Sequence, residues 1–263
     1  MPFSQNNGLR YFTFESLNDP GIVQAIFTRH GGVSPQPWSA LNVGGTVGDA
    51  PERVVENRRR SFMAVGRTPD SIYDVWQVHG REVVYTNSPR PQYSEYRKAD
   101  AILTDNPQVT LFMRFADCVP VLLFDPQRRV VGLVHAGWQG TVKGTVQAAV
   151  KAMQETFSCE PANIRAGIGP SIGAHHYPVG PEVVTQVRDT FRDRASEFLH
   201  ANNGNNPTFD LWAANRFLLE EAGLQEIEVA AICTACHLDD WFSHRGEHGR
   251  TGRFGALIGL KGG

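Results

Sequence analysis

Three short blocks in this chain set a His or a Cys at the end of an apolar run: Gln77–Gly80 (QVHG), Ala116–Pro120 (ADCVP) and His135–Gly140 (HAGWQG). They offer His79, Cys118 and His135. Two imidazoles and a thiol suit a borderline-soft divalent ion, and three protein ligands leave a fourth position open, as in catalytic zinc sites. The same side chains suit a second chemistry, a metal-free Cys–His site in which Cys118 is the nucleophile. Spacing does not choose between the two, because His79 lies far upstream of Cys118 and no zinc-finger pattern is met. Gly137 and Gly140 point to close backbone approach at the site. Asp117, beside Cys118, is a candidate proton carrier or an orienting partner for a ligand histidine.

Such a constellation needs strands whose ends converge. The apolar runs Val109–Phe115 and Val119–Phe124 flank Cys118, and Asp125-Pro126-Gln127 turns the chain into Val130–Val134. This pattern predicts Cys118 and His135 at the ends of neighbouring strands. The β-rich runs Ser71–Val78 and Glu82–Tyr85 place His79 at a strand-to-strand corner. Helices are expected over Asp49–Gly66, with Asp49 as N-cap and Gly66 as stop, and over Thr141–Phe157 and Pro181–Leu199. A further helix is capped by Asp210 and runs through Ala222. Ile164–Ile168, Glu228–Ile232 and Gly255–Leu260 read as strands, and His200–Pro207 as a mobile loop. The strand–helix–strand order from Val130 to Ile168 is a βαβ-like unit with the site at its mouth. With no internal repeat, a mixed α/β fold in a single domain over residues 1–263 is expected.

A chain of 263 residues, 41% hydrophobic, can bury a full core. A net charge of −2 without a long Lys/Arg block gives no reason to expect nucleic acid or a membrane surface as partner. Neither a signal-peptide pattern nor an apolar stretch near the ~20 residues of a membrane span occurs, so a cytoplasmic protein is expected. Cys118, Cys159, Cys233 and Cys236 are too few and scattered for a disulfide framework. Cys233 and Cys236 form a Cys-x-x-Cys without a second pair after it, so strand-end thiols are expected there rather than a zinc knuckle. His175, His176, His237, His244 and His248 invite a copper reading, but the His-x-His and His-Cys-His ligand patterns of a multicopper oxidase do not occur. Gly169–Gly173 lacks the Lys-Ser/Thr ending of a P-loop and is expected to shape a pocket wall.

The three blocks stand in order with FTRHGGVS (Phe27–Ser34), LNVGGTVGD (Leu41–Asp49), ENRRR (Glu56–Arg60), GPSIG (Gly169–Gly173) and RTGRFGALIGL (Arg250–Leu260). This arrangement, end to end, resembles the laccase-domain family, whose bacterial members are described as polyphenol oxidases, purine nucleoside phosphorylases and peptidoglycan-editing factors. The resemblance implies a layered α/β/β/α fold and a catalytic zinc held by His79, Cys118 and His135. It also implies phosphorolysis of adenosine, inosine and S-methyl-5'-thioadenosine, with some adenosine deamination, so the partners would be a nucleoside and phosphate. Two departures from the family pattern stand out: Gln139 replaces an Arg in the HAGWQG block, and Ser243–His248 reads SHRGEH where SYRRDG is usual.

Phosphorolysis needs an anion site and a way to stabilise the departing base. Arg29, next to the Gly31-Gly32 turn, is the first candidate for the anion, with Arg58 and Arg245 behind it. Asn42 and Gln77, in matching blocks, are further candidate substrate contacts, and Trp38, Trp76, Trp138 and Phe254 offer stacking surfaces for a purine, or core packing. Copper is a possible replacement for zinc, since Cu²⁺ binds such a site more tightly. The alternatives are a Cys118-dependent amide or peptidoglycan-precursor hydrolase, a polyphenol oxidase when copper-loaded, and a non-catalytic metabolite binder. A monomer or small homo-oligomer is expected.

Overall fold

The computed structural model describes residues 2–91, 94–202 and 205–262. In chain order the strands begin with β1 (Phe3–Asn6), β2 (Leu9–Phe12), β3 (Ile22–Phe27), β4 (Ile72–Tyr73) and β5 (Val83–Tyr85). The central ones are β6 (Ala101–Thr104), β7 (Thr110–Phe115), β8 (Val119–Asp125) and β9 (Val130–Ala136). They are followed by β10 (Arg165–Ile168), β11 (Leu199–Asn202), β12 (Asn205–Phe209), β13 (Glu226–Val229) and β14 (Phe254–Leu260). The helices are α1 (Pro51–Ala64), α2 (Trp138–Lys143), α3 (Thr145–Phe157), α4 (Pro181–Phe191), α5 (Ala195–Phe198) and α6 (Leu211–Glu221).

Two six-stranded mixed sheets result, ordered β1-β2-β3-β14-β7-β4 and β13-β10-β8-β9-β6-β5. Along β8 and β9, successive side chains enter two different cores. Leu122, Phe124, Val131 and Leu133 pack between the sheets with Phe254, Ala256 and Ile258 of β14. Val121, Leu123, Val130 and Val134 pack on the other side, under α3, α4 and α6. Both faces of these strands are therefore buried, which is why their sequences are continuous apolar runs rather than alternating ones. On the far side of the first sheet, Phe62 and Ala64 of α1 close a third cluster with Phe27, Phe112 and Leu257. The layers run α/β/β/α.

Several elements depart from the sequence expectation. Asp49 does not cap α1; Ala50 occupies that position, and Asp49 accepts hydrogen bonds from Ser34 and Asn42 instead. Gly144 takes a left-handed φ of +73° and splits the expected helix over Thr141–Phe157 into α2 and α3. The expected helix Pro181–Leu199 stops at Phe191, and Leu199 opens a hairpin of β11 and β12 where a mobile loop was expected. Residues 203 and 204 of that segment lie outside the described residues. The strand expected over Glu228–Ile232 is β13, which starts two residues earlier, ends at Val229 and pairs with β10 in parallel. Among the described residues no helix is long and apolar enough to cross a membrane.

Candidate active site

Two of the three candidate ligands lie where the chain passes from one sheet to the other. His79 lies between β4 of the first sheet and β5 of the second, and Cys118 on the three-residue link from β7 to β8. His135 lies near the end of β9, where Pro120 of β8 is its ladder partner. The expected convergence of Cys118 and His135 is thus a ladder register. The crossings are tight, and both place a non-glycine residue in the left-handed region, His79 at φ +57° and Asp117 at φ +83°. Ligand atoms of the three side chains lie within 4.8 Å of one another.

Asp100, which sequence reasoning missed, holds this arrangement. Its fully buried carboxylate accepts backbone N–H bonds from Val78 (3.2 Å), His79 (3.0 Å) and Gly80 (2.7 Å), and lies 2.8 Å from His135 Nδ1. One side chain thereby fixes the His79 turn and directs the other imidazole nitrogen of His135 toward Cys118. The only trace of it in the sequence is an acid directly ahead of the apolar strand β6. Burial raises the Cys118 thiol, but the His135 charge and hydrogen bonds with His135 and His79 outweigh it and bring it down. Burial lowers His135, and the Cys118 charge and the Asp100 hydrogen bond raise it further than burial takes it down. Metal-free, the pair therefore favours thiolate beside imidazolium.

A cavity of about 750 Å³ opens onto the three side chains. On its wall, Arg58 and Arg114 lie 3.6 Å from the buried carboxylate of Asp74, which Arg90 contacts at 2.8 Å. Three guanidiniums share one carboxylate, so this wall carries excess positive charge and is suited to an anion. Arg245 and Arg253 line the cavity too, and Trp76, Tyr96, Trp138 and Tyr177 supply aromatic surface.

Residues 23–261 match the family model described as multi-copper polyphenol oxidoreductase laccase. The chain belongs to this laccase family. It is 38% identical to a purine nucleoside phosphorylase of Deinococcus radiodurans, over 91% of this chain and 89% of the relative. It is also 34% identical to purine nucleoside phosphorylase YlmD of Bacillus subtilis, over 93% and 90%. The crystal structure of YlmD from Geobacillus stearothermophilus superposes with a TM-score of 0.91 at 33% identity, covering 99% of each chain.

Within this laccase-family site, the structure separates the sequence candidates. Gln77, Arg58, Asp117 and Arg245 line the cavity with the three ligand candidates; Arg29 and Asn42 do not. The Arg29 guanidinium, buried against Phe242, donates to the Ser39 and Leu238 carbonyls and to Glu247. These bonds hold loops together, and the residue is not among those that line the cavity. Asn42 is fully buried and acts through others: its Oδ1 accepts from the N–H groups of Gly44 and Arg253, both cavity residues. Asp117 Oδ1 accepts from Thr234 (2.7 Å) and Ser243 (2.6 Å), and its Oδ2 from the Arg245 N–H (2.6 Å). These bonds tie the Ser243–His248 departure to the Asp117–Cys118 link. Gln77 clamps Arg114, accepting from its N–H and Nε and donating to its carbonyl.

Arg114 and Arg253 were not legible as cavity residues, since each is one charge in or beside an apolar strand. The departure at Gln139 has a plain consequence: its side chain accepts from Lys143, whose ammonium also caps the His79 carbonyl at 2.8 Å. The expected wall role of Gly169–Gly173 is not found. Gly169 packs closely on Ile26 and Pro120, and the Ile172 N–H donates to the Asp117 carbonyl, so the segment braces the site from behind. Trp38 and Phe254 lie outside the cavity; Phe254 is core.

Proposed function

We propose that the chain is a metal-dependent purine nucleoside phosphorylase acting on inosine, adenosine and S-methyl-5'-thioadenosine, with adenosine deamination as a lesser activity. The observation that carries this reading is one cavity joining a His/Cys ligand set to an arginine-rich, aromatic-lined wall. The similarity to purine nucleoside phosphorylases of Deinococcus radiodurans and Bacillus subtilis supports it.

The donor set fits zinc. Two imidazoles and a thiol with a lowered proton affinity meet at a point, His135 is oriented by Asp100, and a Cβ at Gly137 would stand 2.7 Å from Cys118 Sγ. Held by His79, Cys118 and His135, the ion would supply Lewis-acid polarisation of a bound oxygen. Copper would compete for the same three side chains.

The remaining work falls to the protein. Arg58 and Arg114 hold the phosphate by charge-assisted hydrogen bonds, and Gln77 keeps Arg114 turned toward it. Trp76, Tyr96, Trp138 and Tyr177 offer faces on which a purine stacks and from which water is excluded. With the base held there, a phosphate oxygen attacks the ribose anomeric carbon as the bond to the purine nitrogen breaks. Incubating metal-replete protein with inosine should give hypoxanthine and ribose 1-phosphate only when phosphate is present. Equal base release without phosphate would overturn the reading.

One observation favours a second reading. Asp100, His135 and Cys118 also form the orienter, base and nucleophile of a metal-free thiol hydrolase. That enzyme would purify without stoichiometric metal and lose activity to iodoacetamide; a protected thiol and one bound ion would exclude it.

A further inference from the structure

The cavity does not use every ligating side chain of this molecule. His175, His176, Cys233 and Cys236 form a second cluster, each contributing one donor atom, all within 4.8 Å of one another. His175 Nε2 is 3.0 Å from Cys236 Sγ, and His176 Nδ1 is 3.4 Å from Cys236 Sγ and 3.6 Å from Cys233 Sγ. A tetrahedral zinc with two sulfurs at ~2.3 Å and two nitrogens at ~2.0 Å places its ligand atoms roughly 3.3–3.8 Å apart. The two His176–sulfur separations fall in that range, the His175–Cys236 one is slightly shorter, and all four donor atoms lie within 4.8 Å, so small side-chain shifts would close the cluster on one ion. The sequence withheld this, because Cys233-x-x-Cys236 has no second pair after it; the missing half comes from the His-His dipeptide far upstream.

The backbone supports the same assignment. Residues 233–236 form a tight turn closed by the Cys236 N–H donating to the Cys233 carbonyl, and the Gly173 N–H donates to Cys233 Sγ at 3.2 Å, which fixes the direction of that sulfur. The two segments that carry the cluster are zipped by Ser171 N–H to Ile232 carbonyl and Thr234 N–H to Ser171 carbonyl. Both thiols are free rather than joined.

We propose that His175, His176, Cys233 and Cys236 form a structural zinc site separate from the cavity. Four protein ligands leave no open position, so the ion would staple rather than react. What it staples matters to the cavity. Ile172 and Thr234, one on each segment, both bond Asp117, and Tyr177 follows directly on His176. The site thus ties together the two loops that back the Asp117–Cys118 link. This proposal does not depend on the reaction assigned to the cavity.

Metal counting by mass spectrometry on protein purified from zinc-supplemented culture tests it. Two zinc ions per chain are expected in the wild type, one in Cys118→Ser, one in Cys236→Ser or His175→Gln, and none in the Cys118→Ser/Cys236→Ser pair. Exchanging cobalt into Cys118→Ser leaves the second cluster untouched, so it carries the test even if the other variants misfold. The expected spectrum is that of tetrahedral cobalt with charge transfer from two thiolates. Zinc-free Cys118→Ser protein, an unchanged count in both Cys236→Ser and His175→Gln, or a Cys233–Cys236 disulfide in freshly purified protein would each overturn it. Loss of the cavity ion alone would appear instead as a wild-type count that Cys118→Ser does not lower.

Discussion

At the scale of single residues, position in the fold separates side chains of the same type. Both Arg29 and Arg114 are held by several hydrogen bonds, Arg29 by Ser39, Leu238 and Glu247 and Arg114 by Gln77 and the Val75 carbonyl, but only Arg114 lines the cavity. Arg29→Ala should lower stability by about 2–4 kcal/mol, because Glu247 loses its cationic partner and the Ser39 and Leu238 carbonyls lose their donor in a largely buried setting, and leave the KM for phosphate unchanged. Arg114→Ala should raise that KM by about tenfold or more, the size of one charge-assisted hydrogen bond. Denaturant titration beside steady-state kinetics reads both; the reverse assignment of effects would refute the placement. Asp100→Asn keeps the shape of the side chain but weakens its hold on the His135 imidazole. Metal affinity, measured by competition with a chelator, should fall about 10–100-fold. An unchanged affinity would mean that Asp100 only shapes the turn.

At the scale of elements, the ends and links of strands matter more than their interiors. The start of α2 is pressed against the ligand set at Gly137, where even a methyl group would displace Cys118 Sγ or the helix. Gly137→Ala should therefore purify with less than half the cavity metal of the wild type while keeping its secondary structure by circular dichroism. Full metal content would show that the helix start moves freely. The approach to α1 gives a pH-dependent case. Burial raises the Asp49 carboxyl, but hydrogen bonds from Asn42, Ser34 and the Ala50 N–H, with the Arg53 charge, take it below its ordinary 3.8. A carboxyl lowered on folding stabilises the folded state above its unfolded value, and that contribution is lost as pH falls through the folded one. Asp49→Asn should cost about 1–2 kcal/mol at pH 7, and the gap from wild type should close as the pH drops below about 4. A gap that stays constant with pH would assign the effect to shape alone.

At the scale of the whole molecule, the two sheets bury their inner faces in one shared core, and the candidate site lies at the edge where the chain passes between them. Leu122 sits in that core, fully buried, on the strand that follows Cys118 directly. Leu122→Ala should cost about 2–5 kcal/mol in a denaturant titration, through lost burial and the cavity left behind. A cost under 1 kcal/mol would show that the sheets close over the gap. The sharing of one core also explains how three ligands from distant parts of the chain stay together without a ligand-binding loop of their own.

The sequence determined the strands β7, β8 and β9, because their buried faces demand unbroken apolar runs and their turn residues leave little choice of connection. It thereby determined that Cys118 and His135 meet. His79 was named by residue type and by family resemblance, but its partner Asp100 was not, since a lone acid before a strand carries no period or spacing to read. Helix boundaries failed where a single backbone torsion decides, as at Gly144, or where a break follows without a proline or glycine, as at Phe191. Only the tertiary structure decided which arginines reach the cavity and that His175 and His176 stand beside Cys233 and Cys236. Both depend on how segments distant in the chain are brought together, and that is set by two sheets packing face to face rather than by any local pattern of residues.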